Sequence, residues 1–255
     1  MLSERFAALR ASNRRALVCY VTAGHPDPGA SLALVQGLAD AGADVIELGV
    51  PFSDPVADGP VIQQSSQLAL DAGMTLDRAL ELGARAKPDV PLVLFSYLNP
   101  LLAAGSDVLT RAHDAGIAGL LVTDLPVGSD PDRERWIGES PLSFVRLVAP
   151  TTPTERMASI ASHGGGFVYL ISRLGVTGAR SELPPDLPAT IHRLRSVCEL
   201  PICVGFGVSS PEQARAVGAL ADGVVVGSAL VTAAGRSVDD ALGFVRALRA
   251  EMDRA

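Results

Sequence analysis

Eight short apolar runs, each followed by a stretch with helical spacing, constrain this chain more than any other feature. They are ALVCYVT (16–22), DVIELGV (44–50), PLVLFSY (91–97), GLLVTDL (119–125), SFVRLVA (143–149), GFVYLIS (166–172), PICVGFG (201–207) and DGVVVGS (222–228). Runs so uniformly apolar predict strands covered on both faces, which is the condition of a parallel sheet. Eight of them with intervening helices close most simply into an α/β (β/α)8 barrel of the TIM type, with extra short helices in its βα loops. An open doubly wound sheet is the competing architecture. The length of 255 residues matches one barrel, and no Pro/Gly/Ser linker, charge run or low-complexity tract divides it. A single domain over 1–255 is therefore expected.

Between the strands, SLALVQGLADAG, TLDRALELGARA, PTERMASIASH and SPEQARAVGALA carry apolar residues three and four apart, with Ser, Thr or Pro at their starts. These predict outer helices. Two segments break the rhythm: 51–67 after the second strand and 172–188 after the sixth. Both are long and rich in Gly, Pro, Asp and Ser, as functional loops are.

The net charge of −7 and a lone lysine, Lys87, argue against a broad basic face for nucleic acid. Cys19, Cys198 and Cys203 lack CxxC spacing and read as reduced thiols. The N-terminal stretch shows neither a signal peptide nor a membrane span, so a cytoplasmic location is expected. His25, His113, His163 and His192 show no metal-ligand spacing. No metal is expected. No nucleophile elbow, Walker loop or dinucleotide fingerprint occurs, and Lys87 falls at the wrong end of a barrel for a Schiff base.

Active sites of such barrels lie at the C-terminal ends of the strands, so polar residues there are the ones to question. Glu47, flanked by Ile46 and Leu48 late in the second run, would be buried on either face. A carboxylate there is either structurally paired or an acid/base group with a raised pKa; its position favours the second reading. Asp58, in ADGP, suits an ordinary turn. Its loop begins where the Glu47 strand ends, however, and can fold back over the same pocket. Asp54 reads as a loop-shaping residue, while Asp124 and Tyr169 are candidates for the barrel mouth. GFG (205–207) and GSA (227–229), at the ends of strands seven and eight, suit a phosphate cradle built from backbone N–H groups, with Gly178 completing it.

The run IELGVPFSDPVADGP (46–60) closely resembles the signature of tryptophan synthase alpha subunits, and SRLGVTG, VGFGV and VVVGSALV match that family's later motifs in order and spacing. The resemblance implies retro-aldol cleavage of indole-3-glycerol phosphate to indole and glyceraldehyde 3-phosphate, by side-chain acid/base chemistry without a cofactor in this chain. It implies that Glu47 protonates C3 of the indole ring and that Asp58 accepts a hydrogen bond from the indole N–H. Tyr169 would stand beside the catalytic carboxylate, and Thr177 would meet Asp58 when the sixth loop closes. The implied phosphate ligands are Gly178, Phe206, Gly207, Gly227 and Ser228. Tyr20, often Phe in the family, Tyr97 and Asp124 match pocket positions.

The family pattern also implies an αββα complex whose beta subunit carries pyridoxal phosphate and receives indole through a tunnel. Pro51, Phe52, Ser53, Asp54 and Pro55, with Asn99 and Pro100, would face that subunit. His25 stands where the family commonly has Asp or Tyr, at an expected interface contact. Two other functions fit the same residues: a stand-alone lyase releasing free indole, and a non-catalytic phosphate-binding barrel that activates a beta subunit. The joint presence of Glu47 and Asp58 speaks against the last.

Overall fold

In the computed structural model, which describes residues 2–171, 183–205 and 207–254, the eight apolar runs form eight parallel strands closed into a barrel in chain order. They are β1 (Ala16–Thr22), β2 (Val45–Gly49), β3 (Leu92–Ser96), β4 (Ile117–Val122), β5 (Ser143–Val148), β6 (Val168–Ile171), β7 (Ile202–Gly205) and β8 (Gly223–Val226). β1 pairs with both β2 and β8, which completes the ring. The open doubly wound sheet is thereby excluded. Most strands are shorter than the apolar runs that announced them. Tilted barrel strands share hydrogen bonds only where neighbours overlap, so the ends of each run pass into the loops.

The outer layer contains α2 (Pro28–Leu38), α4 (Leu76–Ala86), α6 (Val108–Asp114), α7 (Pro131–Gly138), α8 (Thr154–Ser162), α9 (Leu187–Arg195), α10 (Pro211–Gly218) and α12 (Val238–Met252). Their starts follow capping chemistry. The Asp27 carboxylate accepts from Gly29 and Ala30 N–H at 2.9 Å, and Ser210 and Ser237 accept from Gln213 and Asp240 N–H at 3.3 and 3.0 Å. Short helices α5 (Leu98–Ala103) and α11 (Ser228–Ala234) occupy βα loops.

Two loop expectations need correction. Residues 51–67 are not one loop, because α3 (Pro60–Asp71) begins at Pro60. Proline at the first helical position, after Gly59 in an extended conformation, starts a helix whose polar run Gln63–Gln67 hides the amphipathic pattern. Likewise 172–188 does not remain a loop to its end, since α9 opens at Leu187.

Two apolar layers result. One lies between strands and helices; the other fills the barrel, with Val18, Val45, Val93, Val145, Cys203 and Val225 facing inward. The N-terminal end is plugged by α1 (Leu2–Ala11), whose Leu2, Phe6 and Leu9 enter the barrel. The Phe6 ring lies 5.4 Å from that of Phe167. A Cβ at Gly166, which has φ +74°, would come within 2.4 Å of Leu2. The plug is also tied electrostatically. Asp44, 1% exposed, accepts from Leu17 N–H at 2.9 Å and pairs with Arg5 at 2.6 Å and Arg249 at 3.2 Å. With its lower end filled and braced, the barrel has its open space at the other.

Candidate active site

Strand parity decides where Glu47 points. Val45 faces the barrel interior, successive strand residues alternate, and Glu47 therefore faces inward one layer higher. Its cross-strand neighbours are Tyr20 on β1 and Val93 on β3. Glu47 is 1% exposed, and neither carboxylate oxygen has a hydrogen-bond partner among the described residues. Burial alone pushes its pKa from the usual 4.5 up to about 8. At neutral pH it is a carboxylic acid that holds a proton ready to give.

Above it opens a cavity of about 160 Å³ at the C-terminal ends of the strands. Its floor and walls are Tyr20, Phe95, Ile62 and Tyr169, with the Tyr20 and Phe95 rings edge to face at 5.1 Å. Two glycines make room for the phenols. A Cβ at Gly49 would lie 2.2 Å from the Tyr20 hydroxyl, and one at Gly205 would lie 2.3 Å from that of Tyr169. The result is an apolar slot of aromatic width with an acid at its base.

Asp58 reaches the same cavity from the loop after β2. That loop turns back on itself through hydrogen bonds from Val56 N–H to Asp54 and from Asp58 N–H to Pro55. The Tyr97 hydroxyl accepts from Ala57 N–H at 2.9 Å and turns its own proton toward Asp58. The carboxylate is half-buried. Burial raises its pKa from 3.8 to about 6, against the opposing pull of the Tyr97 hydroxyl, so it is mostly ionised at neutral pH. One cavity thus holds one protonated and one ionised carboxyl group.

Across the mouth from Glu47, the wall is made of Gly207, Val208 and Ser209 after β7 and Gly227, Ser228 and Ala229 at the start of α11. Gly207 has φ +95°, where a side chain would be strained. Of the expected phosphate ligands, the structure brings Gly207, Gly227 and Ser228 into this wall. Thr177, Gly178 and Phe206 lie outside the described residues.

Tyr97 and Asp124 stand behind the cavity rather than in its lining. Asp124 is exposed and accepts from Leu98 N–H at 2.8 Å, which caps α5. Phe95, Ile62, Ser209 and Thr232 line the cavity but were not singled out from sequence. Phe95 was accessible to the same parity argument as Glu47, lying two residues beyond inward-facing Val93. Ile62 and Thr232 lie on α3 and α11, helices whose pose no strand pattern encodes.

The loop expected to face a partner forms a rim on this side of the barrel. Phe52 packs on Tyr97 with ring centres 5.2 Å apart; Ser53 donates to Asp54 at 2.6 Å; both of these polar residues are exposed, as is Asn99. Pro51 is buried and Pro55 and Pro100 are partly so, while Val56 is 82% exposed. His25 is buried, its imidazole meeting the Val231 carbonyl of α11.

A larger cleft of about 770 Å³ lies between α7 and α8. Its buried cation, Arg146, is engaged by Glu134, the Leu125 and His163 carbonyls and the Phe144 ring. It reads as a structural tie. Among the described residues no group of three or more His, Cys, Asp or Glu can hold a metal, and no helix is long and apolar enough to cross a membrane.

The family model described as tryptophan synthase alpha chain matches residues 6–254. A tryptophan synthase alpha chain of Citrifermentans bemidjiense is 49% identical over 233 residues, covering 90% of this chain and 87% of that protein. One from Laribacter hongkongensis is 46% identical, covering 94% of each. Among solved structures, tryptophan synthase of Mycobacterium tuberculosis superposes with a TM-score of 0.91 at 37% identity, covering 98% of this chain and 97% of that one. Tryptophan synthase subunit alpha of Legionella pneumophila gives 0.90 at 33% identity, covering 100% and 98%. With a matching barrel, a protonated acid at its mouth and these relatives over nearly its full length, the chain belongs to the tryptophan synthase alpha chain family.

Proposed function

We propose that this chain carries out the family's lyase reaction, cleaving indole-3-glycerol phosphate into indole and glyceraldehyde 3-phosphate, with Glu47 and Asp58 as its two working carboxyl groups. The observation that carries this reading is a buried Glu47, without a hydrogen-bond partner among the described residues, in the same cavity as Asp58. A barrel that only bound phosphate would have no use for so costly a group.

Glu47 in its acid form delivers a proton to C3 of the indole ring. The bond between C3 and the glycerol carbon then breaks, its electron pair returns to the ring, and the glycerol hydroxyl becomes an aldehyde as it loses its proton. The Glu47 carboxylate takes that proton back. Asp58, ionised, accepts the indole N–H and stabilises the positive charge that the ring carries between the two steps. Tyr20, Phe95 and Tyr169 hold the ring, and Gly207, Gly227 and Ser228 receive the phosphate across the mouth. Thr177, Gly178 and Phe206 complete the closed site, with Tyr97 and Asp124 steadying its outer wall.

The rim at Pro51–Pro55 with Asn99 and Pro100 is assigned to a beta subunit that carries pyridoxal phosphate and takes up the indole in an αββα complex. The whole chain acts as one domain in the cytoplasm.

The test is indole release from indole-3-glycerol phosphate by the purified chain, with and without a beta subunit. Weak release alone and strong stimulation by the partner are expected. Full activity without the partner would make the chain a stand-alone lyase, and no release under either condition would remove the proposal.

A further inference from the structure

Two buried hydroxyls join the end of β1 to α3. Thr22 and Ser65 are 2% and 1% exposed, and their oxygens lie 2.7 Å apart. Ser65 also donates to the Ile62 carbonyl at 2.8 Å. A carbonyl can only accept, so the Ser65 proton is committed to Ile62 and Thr22 must be the donor to Ser65. Protons therefore run in one order: Thr22 to Ser65 to the Ile62 carbonyl.

The far end of this chain reaches the Asp58 loop. Ile62 lines the cavity, and the adjacent Gln63 donates its side-chain N–H to the Asp58 carbonyl at 2.9 Å and its backbone N–H to Gly59 at 3.0 Å.

We propose that Thr22 and Ser65 are positioning residues, locking the first turns of α3 to β1 and thereby setting Asp58 against the bound ring. This rests on the role of Asp58 given above. A hydroxyl pair that merely satisfied itself would leave loop and turnover untouched when removed.

The test uses the full-length chain as Thr22→Val, which keeps the shape without the hydroxyl, Thr22→Ser, which keeps the hydroxyl, Ser65→Ala, and the Thr22→Val/Ser65→Ala pair. Amide hydrogen exchange at Ala57, Asp58 and Gln63 is expected to quicken by ~3-fold or more in Thr22→Val and Ser65→Ala. Their kcat for indole-3-glycerol phosphate falls on the order of 10-fold, as for a small misplacement of a reacting group. Competition by inorganic phosphate, read at the opposite wall, is unchanged. Thr22→Ser restores both readouts, and the double variant is no worse than either single one. Wild-type exchange in Thr22→Val and Ser65→Ala, or fully additive losses in the pair, would overturn the proposal. Asp58→Asn separates the two claims: full activity in that variant removes the Asp58 role, while exchange still decides whether the hydroxyls hold the loop.

Discussion

Asp44 and Glu47 sit three residues apart on one strand run, each 1% exposed, at opposite ends of the same barrel. Asp44 is met by two arginines and a backbone N–H, whereas Glu47 meets no donor among the described residues. Two buried carboxyl groups of nearly the same exposure thus have opposite characters. The first braces the plugged end of the barrel; the second keeps its proton because nothing compensates its charge. Partner count, rather than burial, separates the structural acid from the chemical one.

The comparison breaks most sharply at Glu47. Glu47→Gln is expected to lower cleavage by at least ~100-fold, within the range for acid/base groups, while the fold survives. Steady-state assays with a thermal melt decide it, and activity near wild type would end the distinction. At the other end, Asp44→Asn leaves two guanidinium groups without their carboxylate and should cost about 3–5 kcal/mol of stability. Urea unfolding measures that loss, and kcat of the folded fraction should change little.

Acidity offers a third way to sharpen the contrast. Unfolded Glu47 ionises near its usual 4.5 and folded Glu47 near 8. Between those values the unfolded chain binds fewer protons, so stability falls as pH rises, and above about 8 the loss is complete. Glu47→Gln removes that penalty. Relative to wild type, the variant should gain on the order of a few kcal/mol between about pH 5 and about pH 9, seen in paired melts. A constant gap would mean that Glu47 titrates normally. The smallest effect is expected at Asp58. Asp58→Asn should reduce turnover ~10-fold. Because Asp58 must be ionised and Glu47 protonated, wild-type kcat/KM should fall below about 6 and above about 8. Loss of the acid limb in Asp58→Asn assigns it.

The barrel was legible because eight uniformly apolar runs leave the chain few other ways to cover both faces of its strands. Glu47 was legible for the same reason, as an acidic residue flanked on both sides by apolar residues late in such a run. Asp58 was harder, since ADGP is ordinary turn chemistry and only its attachment to the Glu47 strand raised it above that. What stayed hidden depends on helix pose. The start of α3 at Pro60 was masked by a polar run, so Ile62 was not seen as cavity wall, nor Ser65 as a partner of Thr22. Arg5 and Arg249 could not be matched to Asp44, because plug and last helix meet only once the ring has closed.

The missing side chains at Gly49 and Gly205 set a rule for redesign. Each empties a space on one strand that a phenol from the adjoining strand occupies, Tyr20 in one case and Tyr169 in the other. Each pair behaves as a knob and its socket. A bulkier residue in either socket evicts the phenol into the slot, and a smaller residue in place of either phenol leaves a hole floored by bare backbone. Variants meant to admit a wider leaving group will therefore succeed by changing both members of a pair together, and a bulkier residue placed alone at Gly49 or Gly205 should be poorly tolerated.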